Sequence, residues 1–228
     1  PHQKDWPSYK NGHNGGIRSL KMGNTQEVQV DKMMEIEELK TKYSNNLNQE
    51  PLIHGGIEKY VGRDDNGRTV FIYPNAIKHH KNKDGKPPYW NDKSLDKSCQ
   101  IFAEDSIKDY DTKKPFHIFE GEKDLTISVL QGISFSAGAG SIPEDISVIY
   151  EFGEIIIIYD NDETGRLGSE KLAKRIKTES PKTQVKITQW DKSLPKGYDV
   201  CDDSQTGFAK CEEAIVNATE YTLPVKTK

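Results

Sequence analysis

The spacing of hydrophobic residues changes along the chain near residue 115. From there to about residue 190, short apolar runs alternate with segments in which apolar residues recur every three or four positions. The runs predict strands over 117–119, 133–135, 155–159 and 184–190. The periodic segments predict helices over 122–131, 142–152 and 165–177, with Leu125 and Val129 facing inward in the first. Strands that are apolar throughout are typical of a parallel sheet covered by helices on both faces.

The first part of the chain has a sparser pattern. Residues 1–28 are polar and show no periodicity, which predicts an irregular segment. Residues 30–43 repeat apolar side chains at helical spacing and predict one amphipathic helix. The side chains expected to face inward in this helix are Met33, Ile36, Leu39 and Tyr43.

Two short apolar segments that follow predict an antiparallel hairpin. Residues 57–62 and 69–73 flank the sequence Asp-Asp-Asn-Gly at 64–67, and Asn-Gly is a strong turn signal. A further short apolar strand is expected near 101–102. Together with the preceding helix, these elements predict a mixed α+β unit.

These patterns predict an α/β protein in four parts. Residues 1–28 form the irregular segment, and residues 29–114 a smaller mixed α+β domain that ends with the short strand. Residues 115–203 are expected to place about four parallel strands between helices. Residues 204–228 are expected to form a C-terminal helix and tail.

Composition and charge exclude several classes of protein. The chain has 32 Lys and Arg against 36 Asp and Glu, so its net charge of -4 argues against a basic coat for nucleic acid. Its three cysteines include no Cys-x-x-Cys, which excludes a disulfide framework or a zinc finger inside this chain. No run of 18 apolar residues, no signal-like leader and no P-loop pattern is present. The sequence therefore predicts a cytoplasmic protein with no membrane partner and no ATPase motor.

Acidic residues follow two of the predicted strands. The strand 155–159 runs directly into Asp160 and Asp162, and the strand 117–119 ends at Glu120. Residues two apart in an extended chain point the same way, and ligand sites of open α/β sheets lie at the carboxyl ends of the strands. Three convergent carboxylates repel one another unless a cation lies between them, and oxygen ligands favour Mg²⁺ or Mn²⁺. Taken alone, however, such a pattern is equally typical of a surface turn.

The whole segment 115–203 resembles the Toprim (topoisomerase-primase) domain. The sequence Phe119-Glu120-Gly121-Glu122-Lys123-Asp124 resembles the first motif of that family. The sequence from Ile155 to Arg166 resembles the family's Asp-x-Asp motif. Ser136-Ala-Gly-Ala-Gly140 occupies the place of a small-residue turn in that family. Lys196-Gly-Tyr-Asp199-Val-Cys-Asp202 resembles the acidic tail motif of primases. Within the family, the chain is most similar to DnaG-like primases and to phage-type primase-helicases, which also occur in the context of phages or mobile elements. The hairpin at 57–73, the basic loop and the strand near 101–102 resemble the end of the subdomain that precedes Toprim there, which makes 29–114 a primase-like subdomain; an unrelated packing domain is the alternative.

The resemblance implies an RNA-polymerising centre. Glu120, Asp160 and Asp162 would be catalytic and would hold Mg²⁺ or Mn²⁺, which activates the primer 3′-hydroxyl and neutralises the leaving pyrophosphate. Asp199 and Asp202 are further candidate metal ligands, although a solvated turn explains them equally well.

Other charged residues beside the motifs have simple explanations. Glu122 and Asp124 need no chemistry, because acidic side chains are favourable in the first turn of a helix. Lys123 and Arg166 are candidates to bind phosphate oxygens of the nucleic acid or nucleotide, but each can equally pair with a neighbouring carboxylate.

The segment after Pro74 predicts a basic loop that contacts a template. The residues expected to hold the phosphates of the template are Lys78 and Lys81 of this loop, together with Arg63 and Arg68 of the preceding hairpin. Trp90 or Tyr89 is a candidate platform on which bases stack, although Trp90 fits a core position equally well. His79 and His80 are interpreted as loop histidines, since no further ligand is spaced near them.

The function that the resemblance implies is synthesis of short RNA primers on single-stranded DNA from ribonucleoside triphosphates, with a replicative helicase as a possible partner. Two alternatives stay open. A Toprim-type metal-dependent nuclease would use the same three acids to cut nucleic acid. A non-catalytic Toprim module would only bind it, although repulsive carboxylates beside phosphate argue against this.

Overall fold

The computed structural model describes residues 23–46, 57–80 and 87–224. Its first structural unit is a small antiparallel sheet. The strands follow one another in the order β1-β2-β3-β4, and every neighbouring pair is antiparallel. They are β1 (Val61–Arg63), β2 (Thr69–Tyr73), β3 (Ala76–His79) and β4 (Tyr89–Trp90). The predicted hairpin is confirmed, since β1 and β2 pair across the Asn-Gly turn.

The segment after Pro74 is not the loop that the sequence predicts. It continues the sheet through β3 and β4, because Ile77 is fully buried and the β3 backbone pairs with β2. His79 is therefore a buried strand residue. Its Nδ1 lies 2.8 Å from Asp64 Oδ2, and its ring stacks on Tyr89 at 4.5 Å. Lys81 lies outside the described residues.

Helix α1 (Gly23–Asn45) packs on this sheet. Ile36 and Tyr43 are buried against Val70, Ile72 and Ile77, and Leu39 is half-buried beside them, as predicted. The prediction was wrong for Met33, whose side chain is 48% exposed. The helix also begins earlier than expected and takes in residues 23–28; residues 1–22 of the expected irregular segment lie outside the described part of the chain.

The second sheet has six strands in the order β10-β9-β8-β6-β7-β5. The four strands at its centre are parallel and the two at its edges are antiparallel, which confirms the predicted fold class. The strands are β5 (Ile101–Phe102), β6 (Phe116–Phe119), β7 (Gly132–Phe135), β8 (Glu154–Ile158), β9 (Gln184–Ile187) and β10 (Thr219–Glu220). Both edge strands fall outside 115–203, and β5 belongs to this sheet rather than to the first unit.

Helices cover both faces of the second sheet. They are α2 (Glu122–Ile127), α3 (Glu163–Glu179), α4 (Val200–Asp203) and α5 (Ala209–Val216). The predicted helix over 142–152 is wrong, since only a short 3-10 turn forms at Ser147–Ile149. Helix α2 ends earlier than predicted, so Val129 is 71% exposed instead of inward. Among the described residues, no helix is both long enough and apolar enough to cross a membrane.

Alternate residues of β8 bury into two separate cores. Ile155 and Ile157 pack with Leu172 of α3. Ile156 and Ile158 face the other side, where the cluster also contains Phe102 of β5 and Leu125 of α2, together with Phe71, Tyr73 and Ala76 of the first sheet. The two sheets therefore share one hydrophobic core, which fixes the first sheet against one face of the second.

One buried carboxylate links α4 to α5 in the C-terminal part. Asp203 is fully buried, and it accepts hydrogen bonds from the Cys211 amide at 2.6 Å, from Thr206 Oγ1 at 2.7 Å and from the Tyr198 hydroxyl at 3.0 Å. Burial alone would raise the pKa of Asp203, but these hydrogen bonds hold it below its ordinary value. The carboxylate is thus satisfied only while α4 and α5 keep their packing.

We expect Asp203→Ala to lower the free energy of unfolding by about 3 kcal/mol, because the buried Cys211 amide loses its acceptor and the Tyr198 and Thr206 hydroxyls each lose a hydrogen bond to a buried carboxylate. Glu212→Ala, on the exposed face of α5, is the matched control and should change it by less than about 0.5 kcal/mol. Urea denaturation of both variants measures the difference. Equal stability of the two would show that Asp203 does not hold the C-terminal part.

Candidate metal-binding active site

The parallel pairing of β6 with β8 brings two acids together at the sheet edge. Phe119 lies opposite Ile158 in the register, so Glu120 and Asp160 follow neighbouring strand ends at the same edge of the sheet. The Asp160 amide donates to Glu120 Oε2 at 3.0 Å. Two of the predicted catalytic residues are therefore in direct contact.

Asp162 is held by the start of α3. Its Oδ1 accepts a hydrogen bond from the Gly165 amide at 2.8 Å, so it caps the helix. Gly165 makes this turn possible, since a Cβ there would lie 2.3 Å from the carbonyl oxygen of Asp160. The Asp-x-Asp segment thus wraps tightly around a helix N-terminus, where negative charge is favourable.

Two further acids reach the same place. Asp124 on α2 is buried. Its carboxylate, the Asp199 carboxylate and the Cys201 thiol form a group in which one ligand atom from each residue lies within 4.8 Å of the others. Asp199 caps α4 by accepting from the Asp202 amide at 2.7 Å, whereas the side chain of Asp202 is exposed. The sequence interpretation had given Asp124 no chemical role. Its spacing of four from Glu120, across the start of a helix, was the available signal.

Burial and mutual repulsion raise the pKa values of four of these carboxyl groups. Burial, and then repulsion by Glu120, Asp124, Asp199 and Asp162, raises the pKa of Asp160 from 3.8 to about 8. Burial and the charge of Asp199 raise the pKa of Asp124 to about 7. The pKa values of Glu120 and Asp199 are also raised, in both cases chiefly by burial.

The donor set fits divalent metal ions. The converging carboxylates supply hard oxygen ligands, which suit Mg²⁺ or Mn²⁺, and a cation would offset the repulsion among them. Cys201 adds one softer sulfur atom at the margin. Glu120, Asp124, Asp160, Asp162 and Asp199 are the residues that would hold such ions.

Three of the five acids open into a cleft of about 680 Å³ between the two sheets, whereas Asp162 lines a separate groove that also borders Asp160. Glu120, Asp124 and Asp160 line one wall. Lys78, His80 and the segment Pro88–Trp90 of the first sheet line the other. The ring of Trp90 is half-buried and meets Tyr73 edge-on at 5.3 Å. The cleft therefore sets acidic side chains opposite basic and aromatic ones.

The residues predicted to bind the phosphates or bases of a nucleic acid are dispersed. Only Lys78 and Trp90 of that set line the cleft among the described residues. Arg63 donates to the Gly67 carbonyl oxygen at 2.7 Å, and Arg68 is buried with its guanidinium 4.9 Å from the Tyr89 ring.

The two basic residues beside the acidic motifs also differ in position. Lys123 is exposed at the start of α2, where its charge acts on Asp199 and Cys201. Arg166 pairs with Glu163 at 2.8 Å and with Glu170 at 2.7 Å on the surface of α3. It lines a second groove, of about 540 Å³, on the other side of Asp160.

Solved structures of primases share this fold. The Aquifex aeolicus primase, solved as its zinc-binding and RNA polymerase domains, matches with a TM-score of 0.60 and 14% identity, over 85% of this chain and 62% of that chain. The DnaG catalytic core matches with a TM-score of 0.59 and 12% identity, over 83% of this chain and 80% of that chain. A DnaG primase catalytic domain bound to ssDNA matches with a TM-score of 0.51 and 13% identity, over 86% of this chain and 84% of that chain.

The chain therefore has the fold of the DnaG-type primase catalytic core, and it spans less than two thirds of the Aquifex aeolicus chain. No protein-family model matches the sequence, and no curated protein is significantly similar to it.

We expect Asp160→Asn to weaken Mn²⁺ binding by about tenfold or more while stabilising the metal-free protein at alkaline pH. A carboxyl group whose pKa is raised on folding stabilises the fold when protonated. That contribution is complete below about pH 4 and is lost as the pH rises through about 8. In chelator at pH 8.5, the variant should melt about 3 °C or more above wild type, and this gap should shrink at pH 5.

Calorimetry with Mn²⁺ and thermal melts at the two pH values measure these effects. Asp92→Asn changes an exposed acid of the first unit and serves as the control. Undiminished Mn²⁺ affinity in Asp160→Asn would reject the site.

We also expect Gly165→Ala to disturb the site through the backbone. The added Cβ would push the Asp160 carbonyl away, so Mn²⁺ affinity should fall, and unfolding should become easier by about 2 kcal/mol. Gly153→Ala is the matched control, since a Cβ there meets nothing within 4 Å. If both substitutions leave Mn²⁺ affinity unchanged, the tight turn is not what holds the acids.

Proposed function

We propose that this chain is a metal-dependent primase core that synthesises short RNA primers on single-stranded DNA. The observation that carries this proposal is the cleft itself. Acidic side chains at the carboxyl edge of a parallel sheet face basic and aromatic side chains on a second sheet, in a chain that has the fold of primase catalytic cores.

Glu120, Asp160 and Asp162, together with Asp124 and Asp199, would hold Mg²⁺ or Mn²⁺. When bound, such ions lower the pKa of a primer 3′-hydroxyl and neutralise the charge of leaving pyrophosphate. The chain's own contribution is to hold these carboxylates at fixed strand ends and helix starts. Asp160 and Asp124 release their protons as the cation replaces them, so the site should load more readily as the pH rises from about 6 to 8.

The opposite wall would position the template and the nucleotide. Trp90 offers an aromatic face to a base, and the exposed Lys123 lies near Asp199 at the start of α2, where it could contact phosphate oxygens. We also propose Lys81, which lies outside the described residues, as a phosphate contact. We propose single-stranded DNA and ribonucleoside triphosphates as the ligands, and a replicative helicase as a partner.

A direct assay tests the reaction. The full chain is incubated with a single-stranded template, ribonucleotides and Mg²⁺ or Mn²⁺, and the products are resolved by size. We expect new oligoribonucleotides, and a loss of about 100-fold or more in Asp160→Asn, because it removes a charged metal ligand. Metal-dependent shortening of the template would instead support the nuclease alternative. Binding of template without either product would support the non-catalytic module.

A further inference from the structure

A buried ion pair joins the two walls at the floor of the cleft. Lys78, on β3 of the first sheet, donates to Glu122 Oε1 at 2.5 Å and to the Ser136 carbonyl oxygen at 2.6 Å. Tyr73, on β2, donates its hydroxyl to the same Glu122 oxygen at 2.6 Å. One carboxylate oxygen on α2 therefore receives two donors from neighbouring strands of the first sheet.

This contact differs from the ion pairs on the surface. The side chains of Lys78 and Glu122 are 13% and 5% exposed, and Tyr73 is fully buried. Burying an ion pair costs desolvation, so it contributes little net stability, but removing one partner leaves an uncompensated charge. Such a pair specifies geometry more than it stabilises the fold, because alternative positions of either wall leave a charge unsatisfied.

The position of Glu122 in the chain links the buried ion pair to two of the candidate metal ligands. Glu122 lies between Glu120 and Asp124 in the chain, and α2 has only six residues. A shift of Glu122 away from the first sheet therefore carries both flanking carboxylates, and the acidic wall to which they belong, away from that sheet. The sequence interpretation treated Glu122 as a first-turn acid without chemistry and Lys78 as a template contact, whereas in the structure they bind each other.

We propose that Glu122 is a positioning residue that sets the distance between the acidic wall and the first sheet by fixing Lys78 and Tyr73. It touches neither the metals nor the substrates in this account. The consequence for primer synthesis rests on the proposed function, but the separation of the walls can be measured without any activity.

The test compares Glu122→Gln with Glu35→Gln in the full chain. The first substitution keeps the shape and one acceptor oxygen but leaves the Lys78 ammonium without a counter-charge. The second breaks a Glu–Lys pair of 2.6 Å whose members, Glu35 and Lys93, are each 48% exposed and lie away from the cleft. Three properties are measured for each variant: hydrogen exchange of peptides from both walls, Mn²⁺ affinity, and kcat and KM for primer synthesis.

We expect Glu122→Gln to speed exchange in peptides covering 76–80, 87–90 and 136–140, while peptides covering 155–158 and 172–176 keep their protection. Mn²⁺ affinity should stay within about twofold, because the ligands are intact, and kcat should fall about tenfold or more, because the reacting groups are misplaced. Glu35→Gln should leave all three properties unchanged. Wild-type exchange and wild-type kcat in Glu122→Gln would overturn the proposal.

A double variant checks that the two residues act through each other. If Lys78 acts only as the partner of Glu122, Lys78→Met with Glu122→Gln should be no slower than the slower single variant. Effects that multiply would mean that Lys78 acts independently, which would also overturn the proposal.

Tyr73→Phe supplies the test if Glu122→Gln does not fold. It removes one donor only, and it should speed exchange in the same wall peptides with a fall in kcat of about threefold; unchanged exchange would reject the proposal. If the wild-type chain makes no primers, the proposed function fails, while the exchange comparison still decides whether Glu122 fixes the walls.

Discussion

Repulsion among five carboxylates at one edge of the second sheet is the constraint on which the rest of the site depends. Parallel pairing brings Glu120 and Asp160 to adjacent strand ends, and the short helix after Glu120 adds Asp124. Asp162 and Asp199 are held in place because each caps a helix, where backbone amides offset part of the negative charge. Burial first, and then repulsion by the neighbouring acids, raises the pKa values of Asp160 and Asp124, and a divalent cation is the counter-charge that fits the oxygen ligands.

The same arrangement explains why the first sheet is part of the site. Its residues Phe71 and Tyr73 pack with Phe102 and with the β8 residues Ile156 and Ile158, so the sheets cannot separate without exposing a common core. At the floor of the cleft this apolar contact gives way to the buried pair of Lys78 and Glu122. Hydrophobic burial thus brings the two walls together, and the ion pair selects one relative position from those that burial alone permits.

The sequence predicted the central sheet well because its strands are apolar throughout and end in acids. Glu120, Asp160 and Asp162 could be placed at one edge from strand direction alone. Local pattern was less informative where long-range packing decides the outcome. The segment after Pro74 is rich in lysine yet pairs as β3, and β5 joins the second sheet although it precedes residue 115. Asp124 and Glu122 looked like ordinary first-turn acids, because only the tertiary structure shows that Asp199 and Lys78 lie beside them.

The central claim is that these five carboxylates together hold divalent cations at this edge of the second sheet. Diffraction from crystals of the full chain grown with Mn²⁺, recorded with anomalous scattering, tests it most directly. The account predicts anomalous peaks at about 2.0–2.4 Å from carboxylate oxygens of Glu120, Asp160 or Asp162, with Asp124 and Asp199 directed to the same ions. Well-ordered Mn²⁺ bound elsewhere, with these five carboxylates coordinating none, would contradict it.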